Sequence, residues 1–165
     1  MVIDVAIEFR DGGAGVVIDA SYLPVIIRTY SGVTTEKIVR ECTKWLNDRL
    51  SKLPRQQKVV VISDARAVTA TDPKVRKVVA EESKKLELQM RAHNVDTIVI
   101  LNSAVLRGAI KAVGWITTLK LMPAKDLEEA FRIAGESLAS VGQMLPPGLK
   151  WATYRAPTAP MRETG

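Results

Sequence analysis

The sequence predicts an α/β domain: a mixed sheet with antiparallel N-terminal strands and parallel central strands, with helices packed over it. Three patterns carry this expectation. Short β-branched runs crowd the stretch from Ile3 to Tyr30. Two continuous apolar runs, Lys58 to Asp64 and Asp96 to Leu101, have the form of strands covered on both faces. Segments of helical period alternate with these runs, as right-handed crossovers between parallel strands require.

Ile3, Val5, Ile7 and Phe9 alternate with Asp4, Ala6 and Glu8, the period of two of a half-buried strand. Asp11-Gly12-Gly13-Ala14-Gly15 tolerates positive φ and reads as a hairpin turn, since it joins two strands and lacks the full dinucleotide-loop fingerprint. Val16 to Ala20 and Val25 to Tyr30 supply the next two strands. The period then changes: Ile38, Cys42, Trp45, Leu46, Leu50 and Leu53 predict an amphipathic helix between Thr35 and Pro54. Thr34 or Thr35 caps it, Glu36 suits its positive end and Pro54 stops it. Trp45 and Cys42 are expected in the core.

After the strand at residues 58–63, Asp72 reads as an N-cap with Pro73 at the first helical position. Val75, Val79, Leu86 and Met90 form the inward stripe of this second helix. Asn102-Ser103 caps another helix beyond the Asp96 strand, with Val105, Leu106, Ala109, Ile110 and Val113 inward. A short strand near Leu119 to Met122 precedes Asp126, the cap of a last helix that buries Leu127, Ala130, Phe131, Ala134 and Leu138. The predicted unit is residues 1–141. Residues 142–165, with Pro146, Pro147, Pro157, Pro160, Lys150, Arg155 and Arg162, read as a basic Pro-rich C-terminal tail. The tail is either mobile or docked through Trp151 and Tyr154, on the domain or on another protein.

At 165 residues, with 47% hydrophobic and 25% charged, the chain has the size and composition of one folded domain. A single cysteine, and two acids where a secretory leader carries bases, predict a cytoplasmic setting. No run reaches the length of a membrane span. The net charge of +6 suits an acidic partner. That surplus suits nucleic acid, anionic lipid or a protein with an acidic surface without selecting among them, and the few aromatic residues, which do not interleave with basic ones as single-strand binders require, make nucleic acid the least expected of the three. The apolar content and open sheet edges also predict self-association.

Catalytic chemistry is thinly represented. His93 lies in the Arg91-Ala92-His93-Asn94 link and is expected to be solvated, while Cys42 falls on an apolar stripe, so neither a Ser-His nor a Cys-His pair is in prospect. No thiolate-imidazole set or spaced acidic loop indicates a metal, and no cofactor is expected. An enzyme using Asp64, Arg66 and Ser103 lacks an evident base.

In parallel sheets, ligands meet the loops at the carboxyl ends of the strands. Here these read Ser63 to Asp72, containing Arg66, Thr69 and Thr71, and Asn102 to Arg107, containing Ser103. Arg66 and Arg107 beside helix starts suit an anion or a partner's carboxylate, although Asn102, Ser103 and Asp72 also serve as plain caps. On the second helix, Lys74, Arg76, Lys77, Lys84, Lys85 and Arg91 fall mostly on the solvent side, as a basic face or as cations paired locally with Glu81, Glu82 and Glu87.

The order of elements, the Gly32-Val33-Thr34 step into the first helix, the strand ending in Asp64 and the passage from Leu121 through Lys125-Asp126-Leu127-Glu128-Glu129-Ala130 resemble the SpoIIAA-like branch of STAS domains, over about residues 15–140. The resemblance implies a non-enzymatic regulatory module that docks a protein partner, as anti-sigma-factor antagonists do, through the start of the second helix. Asp72 falls near the aspartate of that family's Asp-Ser-Ser-Gly signature. This chain continues Pro73-Lys74-Val75, so the phosphorylatable serine is absent and only Thr69 and Thr71 lie nearby. A related branch resembles the CRAL-TRIO lipid-transfer fold, which implies the alternative of a carrier for a small hydrophobic or acyl ligand.

Overall fold

The computed structural model describes residues 5–71, 73–108 and 120–164. Strands β1 (Ala6–Asp11) and β2 (Ala14–Tyr22) pair antiparallel through the two-residue turn Gly12-Gly13, with Gly12 at φ +59°. Strand β3 (Val25–Thr34) continues the antiparallel set. Gly32, at φ +73°, lies against that turn, and a Cβ there would stand 2.1 Å from the Gly13 carbonyl oxygen, so only glycine lets β3 pass. Ile7 and Phe9 are buried as their alternation predicts, whereas Val5 is exposed and Ile3 lies outside the described residues.

Helix α1 (Glu36–Ser51) is capped by Thr35, whose hydroxyl accepts from the Ile38 amide at 3.4 Å, and it buries Ile38, Cys42, Leu46 and Leu50. Strand β4 (Val60–Thr71) is twice as long as expected. The predicted loop from Ser63 is strand as far as Thr71, because β3 runs on to Thr34 and pairs Ser31 with Ala67 and Thr34 with Thr71. That ladder satisfies backbone groups which a loop would have left to water.

Helix α2 (Pro73–Ala92) ends in a Schellman motif. The Val95 amide donates to the Met90 carbonyl at 2.9 Å, the Asn94 amide donates to that of Arg91 at 3.1 Å, and Asn94 takes the positive φ of 44°. This tight return places His93 in the interior, 3% exposed, with Nδ1 at 3.2 Å from the Gln57 carbonyl oxygen. The expectation of a solvated loop histidine is thereby corrected. Strand β5 (Asp96–Ile100) lies parallel to β4 and to β6 (Lys120–Ala124). Residues 104–108 are helical, but Val105 and Leu106 are exposed, contrary to their expected inward placement. Ala109, Ile110 and Val113 fall outside the described residues. Asp126 caps helix α3 (Leu127–Ala139) by accepting from the Glu129 amide at 2.8 Å, and Leu127, expected inside, is only partly buried there.

Among the described residues the sheet has seven strands in the order β6-β5-β4-β3-β2-β1-β7, where β7 (Met161–Glu163) runs parallel to β1. One face, with Ile18, Ile26 and Val61, packs under α1 and α2; Trp45 is partly buried against it. The other, with Ile27, Ile62, Ile98 and Ile100, packs under α3 together with Leu149 and Tyr154. The Tyr154 hydroxyl donates to buried Asp19 at 3.3 Å, while Trp151 is exposed. Packing therefore continues past residue 141: the segment expected as a tail covers part of the sheet through Tyr154 and contributes an edge strand.

Candidate functional site

The two faces of the central strands differ in chemistry one residue apart. Ile27, Ile62 and Ile98 stand side by side on the α3 face. In the next register row, Arg28 lies beside Ser63 and Ser63 beside Val99, on the face that α1 and α2 cover; Thr97 lies two rows back on the same face, beside Val61. Polar groups therefore interrupt the helix-covered face where an all-apolar row would have packed shut. A cavity of about 470 Å³ occupies the space between them and the helices. Cys42, Thr43 and Leu46 of α1 and Val75, Leu86 and Met90 of α2 form its roof. Val79 points in the direction its helical period predicts, but it faces this cavity and stays 45% exposed, and Val78 is buried instead.

Arg28 is the cation of the sheet wall. Its Nε and Nη2 donate to Ser63 Oγ at 3.2 and 2.8 Å, and its guanidinium carbon sits 5.8 Å from the centroid of the Tyr30 ring, within cation–π range. No carboxylate pairs with it among the described residues. The acid on the opposite wall, Glu82, is 4% exposed and already neutralised, by Arg40 at 2.8 Å and Lys85 at 2.5 Å. Tyr30 and Cys42 both line the cavity beside Arg28. Burial pushes the Cys42 thiol up to about 11, against the pull of the nearby Arg28 charge, and burial raises the Tyr30 phenol as well. Both stay neutral at physiological pH, and a thiol held in that state is a poor nucleophile.

Among the residues expected to form a docking site, the two arginines at the strand ends are engaged by nearby groups. Arg66 folds back on Asp64, with Nε to Oδ1 at 2.9 Å and Nη2 to Oδ2 at 2.7 Å. That bidentate pair, with hydrogen bonding as the largest cause, raises the Arg66 pKa. The Asn102 amide donates to the Arg66 carbonyl at 3.0 Å, and Arg107 donates to the Leu101 and Asn102 carbonyls at 2.6 and 3.1 Å. Each arginine side chain is thus spent within its own segment, and the Asn102 side chain is what ties the two strand ends together. Ser103 accepts from the Leu106 amide at 3.4 Å, the capping role foreseen for it.

Thr69 and Thr71 lie on β4 with largely solvated surfaces, Thr71 at the rim of the cavity, and Asp72 is outside the described residues. Lys74, Arg76 and Lys77 are exposed on α2, with Lys77 only 4.0 Å from Glu81. Arg91 pairs with Glu87 at 2.5 Å and Lys85 with Glu82 at 2.5 Å, so several cations of the expected basic face are locally compensated. Sequence reasoning missed Arg28 and Ser63 as partners. The available signal was parity: Ile26, Arg28 and Tyr30 share one face of a strand whose neighbours are buried.

No group of three or more histidine, cysteine, aspartate or glutamate side chains arranged for a metal occurs among the described residues, and no helix there is long and apolar enough to cross a membrane. No family model matches the chain, and no curated protein does. Among solved structures it is similar to an uncharacterised protein of the DUF3478 family with a SpoIIAA-like fold from Shewanella loihica PV-4. The TM-score is 0.54 at 16% identity, over 81% of this chain and 98% of the other. The chain therefore has a SpoIIAA-like fold, as the order of its elements suggested.

Proposed function

We propose that this chain is a non-catalytic binding domain whose working part is the cavity under α1 and α2, and that it carries a small apolar or acyl ligand. The observation that carries the reading is the cavity itself. Its 470 Å³ falls within the span of roughly 300–1,000 Å³ typical of small-molecule sites, and apolar side chains dominate its roof. A binding role also suits the two residues best able to start chemistry. Cys42 is held as a thiol, and His93 faces a backbone carbonyl on another part of the molecule.

The test uses the neutral fluorescent probe N-phenyl-1-naphthylamine with the full chain. Wild type should bind it saturably with about one site. Ala65→Phe, which places a ring in the cavity from β4, should abolish binding without lowering the melting temperature. Equal binding by that variant, or none by wild type, would remove the reading.

A second reading, a regulatory module that docks an acidic protein through α2, is favoured by the exposed cations Lys74, Arg76 and Lys77. It predicts that the double variant Arg76→Glu, Lys77→Glu associates about tenfold more slowly with such a partner at low salt, with an unchanged melting temperature. An unchanged association rate would count against it.

A further inference from the structure

Resting on the cavity reading, we infer that the ligand is a single-chain amphiphile with one carboxylate headgroup, and that Arg28 and Ser63 hold that headgroup. A guanidinium has five N–H donors. Two of those on Arg28 are used on Ser63 Oγ, which leaves three without a protein acceptor among the described residues. These donors face the cavity and its solvent, and among the described residues no carboxylate of the surrounding wall pairs with them, so they are free to receive an anionic group. Glu82, the acid lining the same cavity, is held by Arg40 and Lys85.

Ser63 completes the arrangement. Its oxygen accepts both bonds from Arg28, so its own hydroxyl hydrogen remains to donate, and the residue is 6% exposed. The guanidinium edge and the hydroxyl hydrogen together offer the planar, two-oxygen recognition that a carboxylate fits. A more highly charged headgroup would find no second cation among the described residues of the cavity lining. Away from Arg28 the lining turns aliphatic, with Leu46, Val75, Leu86 and Val99, which suits an unbranched hydrocarbon tail.

The experiment compares decanoate with decan-1-ol by titration calorimetry on the full chain, since the two share a tail and differ in the headgroup. Decanoate should bind about ten- to a hundredfold more tightly, the range expected for hydrogen bonds to a charged group. Arg28→Met should bring the two ligands within about threefold of each other by weakening decanoate alone. The wild-type comparison stands even if that variant does not fold. Equal affinities in wild type, or tighter binding of the alcohol, overturn the headgroup assignment while leaving the cavity reading intact. Binding of neither ligand overturns both.

Discussion

Deleting the C-terminal segment tests whether its packing is structural. A chain ending at Gln143 keeps the closure of α3, in which the Gln143 amide donates to the Leu138 carbonyl and that of Gly142 to Ala139, both at 3.0 Å. It loses Leu149 and Tyr154, 5% and 8% exposed. Burying each such side chain contributes about 1.5–3 kcal/mol, so the deletion should cost roughly 3–6 kcal/mol. A compact unfolded chain draws that sum toward its lower end.

In a domain of this size each kcal/mol shifts the melting temperature by about 2–4 °C, which gives a fall of about 6–24 °C by calorimetry or circular dichroism. A second chain ending at Ala156 keeps Tyr154 against Phe131 and Tyr22, with ring centroids 6.1 and 6.3 Å away, and removes residues 157–165, which include the exposed strand β7. It should melt within about 4 °C of the full chain. If the chain ending at Gln143 melts like the intact protein, residues after 141 are a tail in the energetic sense and the reasoning fails.

Two further perturbations address buried charge and buried thiol. Lys58, 3% exposed, donates from Nζ to Asp96 Oδ2 at 2.7 Å and to the Asn94 carbonyl at 2.7 Å, so Asp96→Ala strands an ammonium in the interior and should cost about 3–5 kcal/mol in urea unfolding. Adding Lys58→Met should recover part of that loss; losses that simply add would show that the stranded charge is not its cause. For Cys42 the folded pKa lies above the ordinary 9.0, at about 11, so the folded state retains the proton longer than the unfolded one. The stabilisation is complete below pH 9 and is lost as pH rises toward 11. Wild type should therefore lose stability relative to Cys42→Ala across that window, by about 2–3 kcal/mol, and parallel pH profiles would contradict the burial argument.

Most of the fold was legible because its elements are written in short-range periodicity. The alternation through Phe9, the apolar runs at Val59 to Ile62 and Thr97 to Ile100, the Thr35 and Asp126 caps and the Gly12-Gly13 turn each follow from local backbone and burial rules, and all appear in the structure. The candidate site was less legible. Arg66 and Arg107 have the residue types of an anion site, yet hydrogen bonds to Asp64 and to the Leu101 carbonyl occupy them. Both partners lie within six residues in sequence, but the pairing depends on which way each side chain turns at the strand end, which residue type and spacing alone do not fix.

His93 is interior because the Schellman turn after α2 returns the chain over it, and Tyr154 is interior because Asp19, 135 positions away in sequence, accepts its hydroxyl hydrogen. The sequence by itself thus determined the class of fold, the order of strands and helices and the caps that begin two of the helices, since these depend on interactions within a few residues. Only the tertiary structure decided that β4 runs on beside β3 to Thr71, that the last residues cover part of the sheet and add an edge strand, and that Arg28 faces a cavity with Ser63 as its partner. Those outcomes depend on register and on which distant side chain fills, or leaves empty, the space opposite.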